Sequence, residues 1–435
     1  MPQMTSRWSL MLIVYLTNTA SLFVALKAAA LTLSPAQNVL LLSIHSVSMF
    51  VSQASDLGYS RPAYRNLARR SDLADQAGYY YGVNFQRSLI LLLCLPVAYW
   101  FMPAAEQPSV AVLGLLLAVA LSLRSPWLVA ANSGLLRVYS ISEIIFSSLA
   151  IAAFVTILFV GYRPSLLVVL SILVIARLGP VILVSERLFR YVASATVFRF
   201  DRDIFRESLP SLGIKLVLLA SHSSNGFFLI VLFTQSQIGL YLQADKLFYA
   251  GVGTFVFLSQ DAVRLAVAGH FQRVPWYVMA AGCLLVSSAA AIVFAITAPF
   301  FLALLFSQDY VAAAEPLRWM LIGFPLLATN IILANAYVPH RHHDGFALKA
   351  CLVAAVSNLV VIAVAYYMMR PEIAAFGVAA SEGVALVYVM YAFLRKTVQI
   401  GDQPAVEMEG PVSSQPGDKT GAMMAGGRRY ARAQS

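Results

Sequence analysis

Residues 139–184 read YSISEIIFSSLAIAAFVTILFV, then GYR, then PSLLVVLSILVIARLGPVILV. These are two apolar runs of roughly 20 residues, and each is long enough to cross the ~30 Å hydrocarbon core as a helix. Neither alternates as a barrel strand would. The chain then continues SERLFRYVASATVFRFDRDIFRES over 185–208, a stretch holding five arginines. Arginine and lysine collect in loops that stay in the cytoplasm. The segment therefore reads as a membrane hairpin returning to a cytoplasmic loop.

The same rhythm extends in both directions. About twelve apolar runs are predicted as spans: 9–29, 36–57, 84–102, 110–130, 139–160, 164–184, 211–233, 238–260, 275–299, 315–337, 346–368 and 374–394. The 435 residues are 60% hydrophobic and 11% charged, with a mean hydropathy of +0.76. A soluble domain carries roughly 25% charge, so this composition predicts an all-α polytopic membrane protein. The run at 9–29 is taken as the first span rather than a cleaved signal peptide, because it reaches span length and many similar runs follow. Cys94, Cys283 and Cys351 all fall inside runs and suggest neither a disulfide framework nor a metal site.

The positive charges set the orientation. Arg61, Arg65, Arg69 and Arg70, the arginines of 185–208, and the tail fall on one side of the alternation, and few fall on the other. Both termini are expected in the cytoplasm of a bacterial inner membrane. The net charge of +10 follows from this bias, and no nucleic-acid partner is inferred from it. The loop 185–208 is either a solvated linker or an amphipathic segment lying on the anionic leaflet. It divides the chain into a first six-helix lobe with its loop (1–207), a second (208–397) and a disordered tail (398–435) poor in apolar residues. Phe50, Val51 and Asp56 recur as Phe255, Val256 and Asp261 at equal spacing, an echo consistent with parallel repeats.

Ionisable groups inside spans mark functional sites, since each is costly in lipid. The candidate substrate-binding groups are Lys215, His222, Lys27, Arg177 and Lys246, with Asn18 and Asn225 beside them. Lys215 and His222 are seven residues apart and would share one face of a continuous helix. By the repeat, that face would meet the first span, making a basic cavity. Such a cavity suits phosphate groups. Asp245 and Lys246 are adjacent, so helix geometry predicts no pair between them. Asp56, Gly58 and Asp261 are assigned structural or gating roles. The carboxylates Asp56, Glu143, Asp245, Asp261 and Glu382 lie mostly toward run ends, which argues against cation extrusion. No phosphate-binding GxxxxGKS/T, HExxH or nucleophile elbow is present, so no enzyme activity and no cofactor are inferred. His340, Arg341, His342 and His343 read as a solvated turn.

Several stretches resemble a known family. At 207–268 the order is Ser208, Pro210, a polar span, then Ile238, Gly239, Tyr241, Ala244 and Lys246. Asp56, Leu57, Gly58 and Arg65 are similar to that family's Asp-x-Gly end of span two, and Pro126–Trp127 to its Pro-x-Trp turn. The chain resembles the bacterial polysaccharide and O-antigen flippases of the multidrug/oligosaccharidyl-lipid/polysaccharide exporter superfamily. It departs where Leu128, Val129 and Ala130 follow the Trp. The resemblance implies a MATE-like, V-shaped pair of six-helix lobes working by alternating access. It implies an undecaprenyl-diphosphate-linked oligosaccharide as substrate, membrane lipids as surroundings, and a polysaccharide polymerase and glycosyltransferases as partners. The rivals are a cation-coupled small-molecule exporter of the same fold and a non-transporting component of a polysaccharide assembly complex.

Overall fold

The computed structural model describes residues 2–56, 58–69, 72–102, 108–125, 128, 133–192, 202–267, 275–337 and 343–395. The tail from 398, Pro126–Trp127 and the turn 338–342 lie outside the described residues. All regular structure among those described is helical. The first half runs through α1 (Pro2–Thr32), α2 (Pro35–Asp56), α3 (Ser60–Arg69), α4 (Leu73–Phe101), α5 (Pro108–Leu123), α6 (Ser133–Val160) and α7 (Leu166–Phe189). The second runs through α8 (Arg202–Leu218), α9 (Asn225–Leu232), α10 (Gln235–Val267), α11 (Trp276–Leu305), α12 (Ala314–Tyr337), α13 (His343–Tyr367) and α14 (Gly377–Leu394). Short 3-10 segments at His222–Ser224, Gln308–Ala313 and Pro371–Phe376 precede α9, α12 and α14.

Each of the twelve predicted runs falls on helix among the described residues, with 110–130 helical as far as Leu123. Among the described residues, eight segments are long and apolar enough to span a membrane, and a bent pair makes a ninth. α5 is apolar but shorter. The two remaining runs, α2 and α10, carry too many polar groups to pass. Those two helices explain the architecture. A polar helix cannot face lipid, and α2 and α10 bury their polar stripes against each other.

The same local chemistry opens both. The Ser34 hydroxyl accepts from the Gln37 amide while Gln37 Oε1 accepts from the Ser34 amide, at 3.3 and 3.2 Å. Gln237 Oε1 likewise accepts from the Thr234 amide at 3.1 Å. The first is a full capping box, which satisfies orphan donors at a helix start; at the second the Thr234 hydroxyl donates to Gln237 Oε1 at 2.9 Å and the Gln237 amide bonds the Thr234 carbonyl at 3.0 Å. From there the helices run parallel. A Cβ on Gly239 would lie 2.8 Å from Val39, and Lys246 Nζ donates to Ser46 Oγ at 2.8 Å. The facing register is thus i to i+200, whereas the sequence echo between Phe50 and Phe255 sits at 205.

Around this contact, α1 packs on α6, α2 on α5, and α5 and α6 on α7. α12 packs on α10, α11 and α14, and α13 on α8 and α14. Apolar cores form on either side. Leu26 and Leu42 of the first half join the core of the second, and Phe227 and Ile230 pack against the core of the first. Phe50 stacks on Phe227 with centroids 3.9 Å apart.

The expectation that spans one and seven meet is corrected. α8 and α9 contact α2, and α1 reaches the second half at α10 and α11. The seventh span is also not continuous. It breaks between Leu218 and His222 with a bend of 54°. Ser221 Oγ donates to the Leu218 carbonyl at 2.6 Å, and such back-bonding by serine competes with the helix ladder.

Candidate functional site

The bend separates Lys215 from His222, so the predicted shared face does not form. Each residue serves a different polar cluster, and three such clusters occupy the interior.

The first lies at the end of the bundle that carries the turn after α2, the basic end by its arginines. Asp56 closes α2. Its Oδ2 is 3.1 Å from Lys215 Nζ on α8, and its Oδ1 is 3.7 Å from Arg87 Nε on α4 and 2.5 Å from the Ser60 hydroxyl. Gly58 then turns the chain with a φ of +86°, a region open to glycine. A Cβ there would lie 2.7 Å from the Ser211 carbonyl carbon. Only glycine lets this turn touch the backbone of α8.

The second cluster is built by α1, α5, α6 and α7. Arg124, just after α5, grips Glu143 with two hydrogen bonds of 2.8 Å. The Glu143 side chain is 1% exposed. One helical turn on, Ser147 donates to Asn18 Oδ1 at 2.9 Å, and Arg177 donates to the same oxygen at 2.5 Å. Arg177 sits within electrostatic reach of Arg124 and Glu143 but makes no ion pair of its own.

The third cluster belongs to α8 through α14. His222 hydrogen-bonds Tyr249 at 2.6 Å through Nδ1 and Glu382 at 2.8 Å through Nε2. A neutral imidazole does both in one tautomer, with Nε2–H donating to the carboxylate and Nδ1 accepting from the phenol. Asn330 donates to the other Glu382 oxygen at 2.7 Å. Asn225 and Asn358 exchange hydrogen bonds of 2.7 and 3.1 Å. Asn358 also donates to the Ala220 carbonyl at 3.2 Å, satisfying a group freed by the break. Lys246 pairs with Asp245 at 3.2 Å, which corrects the expectation of no pair. Both side chains are enclosed, and the long lysine stem folds back along the helix to reach its neighbour. Nearby, Ser43 Oγ and both amide atoms of Gln243 are buried without a hydrogen-bond partner. Both residues lie on the facing stripes of α2 and α10 between the Gly239 and Lys246 contacts.

Lys27 stands apart from all three. It donates to the Leu304 carbonyl at 2.6 Å, at the C-terminal end of α11 where a cation is favoured by the helix dipole. It joins the halves at the end opposite the basic one, where Asn38 also donates to Tyr310 OH at 2.6 Å. Asp261 lies on α10, and its side chain is outside the described part. The expectation that carboxylates keep to span ends is revised, because Glu143, Asp245 and Glu382 all engage interior groups.

Sequence reasoning passed over Arg87, although it lies within the run 84–102. The signal was present: Asn84 and Arg87 are one turn apart in an otherwise apolar stretch. The partners Tyr249, Asn330 and Asn358 carried no comparable signal. Among the described residues no group of three His, Cys, Asp or Glu is placed to hold a metal ion.

No family model matches the chain, and no curated protein matches it. Solved structures do. The chain is similar to lipid II flippase MurJ in an inward closed conformation, with 12% identity over 88% of this chain and 87% of that one, at a TM-score of 0.58. It is similar to an inward-facing multidrug resistance MATE family transporter of the MOP superfamily, with 12% identity, 90% and 97% coverage, and a TM-score of 0.56. The eukaryotic MATE transporter AtDTX14 gives 13% identity, 90% and 95% coverage, and 0.51. At such identities the likeness is one of fold. The chain has the fold of these polytopic membrane proteins.

Proposed function

We propose that this chain moves an anionic, lipid-linked oligosaccharide across the membrane by alternating access, and that the substrate is an undecaprenyl-diphosphate-linked repeat unit. The observation that carries the reading is a local excess of cations over carboxylates in two of the three interior clusters. Arg87 and the partly exposed Lys215 share Asp56, and the partly exposed Arg124 and the buried Arg177 stand around Glu143, so each of these two clusters holds two cations for one carboxylate. A buried arginine costs on the order of 3 kcal/mol in a membrane even with help from water and headgroups. A diphosphate offers charge-assisted hydrogen bonds to such groups. The name of the flippase neighbour supports a lipid-linked cargo, and the resemblance noted in the sequence supports the polysaccharide branch.

In this reading Lys215, Arg177, Lys246 and His222 line the path, with Asn18 and Asn225 holding it in shape. Lys27 joins the far end, and Asp56, Gly58 and Asp261 serve closure. The basic end faces the cytoplasm of a bacterial inner membrane, as do both termini. The two halves act as six-helix lobes. Glycosyltransferases supply the substrate and a polymerase consumes it, while the chain itself forms no covalent bond.

A strain lacking the chain should accumulate undecaprenyl-linked repeat units on the cytoplasmic leaflet. Plasmid-borne wild type should clear them, and Arg177→Gln should not. Export at full rate without the chain would overturn the reading. The rival with an observation behind it is the cation-coupled exporter, favoured by Asp245 and Glu382 inside the second half and by the MATE neighbours. It predicts efflux of cationic compounds that Glu382→Gln abolishes. A non-transporting role predicts no flipping in reconstituted vesicles.

A further inference from the structure

The Asp56 carboxylate is met by three donors that it only partly satisfies. Its side chain is 6% exposed, as enclosed as that of Arg87 at 4%, while Lys215 is 28% exposed. Arg87 is fixed from behind, since its NH1 donates to Asn84 Oδ1 and to the Arg124 carbonyl at 3.4 and 3.3 Å. Its Nε is buried and makes no hydrogen bond, because the 3.7 Å to Asp56 is an ion-pair distance only. Two cations and a hydroxyl therefore converge where a single carboxylate supplies one charge.

We infer that Arg87, Lys215 and Ser60 form a phosphate cradle for the diphosphate of the substrate, and that Asp56 is its internal occupant, displaced when the substrate enters. The diphosphate that links lipid to sugar carries two negative charges against the carboxylate's one, with two non-bridging acceptor oxygens on each phosphorus. It reaches all three donors at once, including the idle Arg87 Nε. The displacement has a mechanical consequence. Asp56 is what ties α2 to Lys215 of α8, and two residues on, Gly58 lies in backbone contact with Ser211. A carboxylate released from Lys215 frees that contact, so arrival of the headgroup unlatches the basic end. This inference rests on the proposed anionic cargo and deepens it: Lys215 is at once latch and ligand.

The test uses the full chain in phosphatidylcholine nanodiscs, titrated by calorimetry with undecaprenyl diphosphate and, separately, with inorganic pyrophosphate. Conformation is read by maleimide labelling of Ser211→Cys after Cys94, Cys283 and Cys351 are replaced by alanine. Asp56→Asn should bind undecaprenyl diphosphate about tenfold tighter than wild type, and Lys215→Gln about tenfold weaker. Labelling should rise with lipid in the wild-type background and start high in Asp56→Asn. Ser60→Ala, which keeps every charge, should weaken binding about threefold and covers the case in which Asp56→Asn does not fold. Equal affinities in wild type, Lys215→Gln and Ser60→Ala would overturn the cradle. Tighter binding of pyrophosphate but no binding of the lipid by Asp56→Asn would keep the cradle and remove the lipid-linked cargo. Saturation of the site by phosphatidylglycerol in the nanodisc would overturn the cradle's assignment to substrate in favour of a bulk headgroup.

Discussion

The interior of α1–α7 and that of α8–α14 hold charge in opposite ways. In the first, Arg124 and Arg177 stand around one carboxylate, Glu143, and Arg177 leans on the amide oxygen of Asn18. In the second, Glu382 is met by a histidine and an asparagine, and Lys246 by its neighbour Asp245. Positive charge is left over in the first half and matched or outweighed in the second. A cavity between them would have one cationic wall and one neutral or acidic wall. The asymmetry suits a cargo with an anionic headgroup and a neutral glycan, since each wall meets the part it can hydrogen-bond.

The largest effect should come from Glu143→Gln. It leaves Arg124 without the carboxylate it grips at a site where the Glu143 side chain is 1% exposed, and removing one partner of a buried pair costs about 3–5 kcal/mol. A large fall in the thermal midpoint of the purified protein should follow. A midpoint within a degree of wild type would mean that the first wall is less cationic than argued. Arg177→Gln is the sharper experiment. Arg177 has no ion pair to orphan, so stability should hold while flipping of a fluorescent undecaprenyl-linked oligosaccharide in vesicles falls roughly tenfold, equivalent to about 1.4 kcal/mol. Should the midpoint and the flipping rate fall together, Arg177 is a structural group.

On the other wall, Glu382→Gln keeps one acceptor oxygen for His222, and Asn330 retains its hydrogen bond to the Glu382 backbone carbonyl at 2.9 Å. A neutral hydrogen bond is worth on the order of 1 kcal/mol, so flipping should change by no more than about fivefold. A complete loss of transport would shift the balance toward a coupled exporter. The smallest effect belongs to Arg190→Ala. Its pair with Glu186 is exposed, at 67% and 55%, and pairs of this kind contribute about 0–1 kcal/mol. Export and stability should both match wild type.

Much of the fold was legible because lipid imposes simple rules. A helix must be about 20 residues long and apolar, and nine of the twelve runs obey both rules among the described residues, while α5 is apolar but shorter. The exceptions, α2 and α10, could be seen as the polar runs, but their contact could not. The echo at Phe50 and Phe255 pointed to the right pair of helices at a spacing of 205. The glutamines that accept from the Ser34 and Thr234 amides mark the spacing of 200 that the contact uses. The site was legible as a set of residue types only. Lys215 and His222 stand out in the sequence as bases on one span, yet a Ser-rich break turns them to different partners, Asp56 and Glu382. Lys27 looked like a lining residue and instead caps α11.

The sequence alone determined that the chain is a helical protein that spans a membrane many times. This follows from the cost of placing charge and unpaired backbone in hydrocarbon, a cost each segment pays without its neighbours. Tertiary structure decided which cation meets which carboxylate: Lys215 with Asp56, Arg124 with Glu143, His222 with Glu382. Those pairs join residues from 19 to 160 positions apart, and the electrostatic energy that selects them exists only once the helices have packed and excluded water.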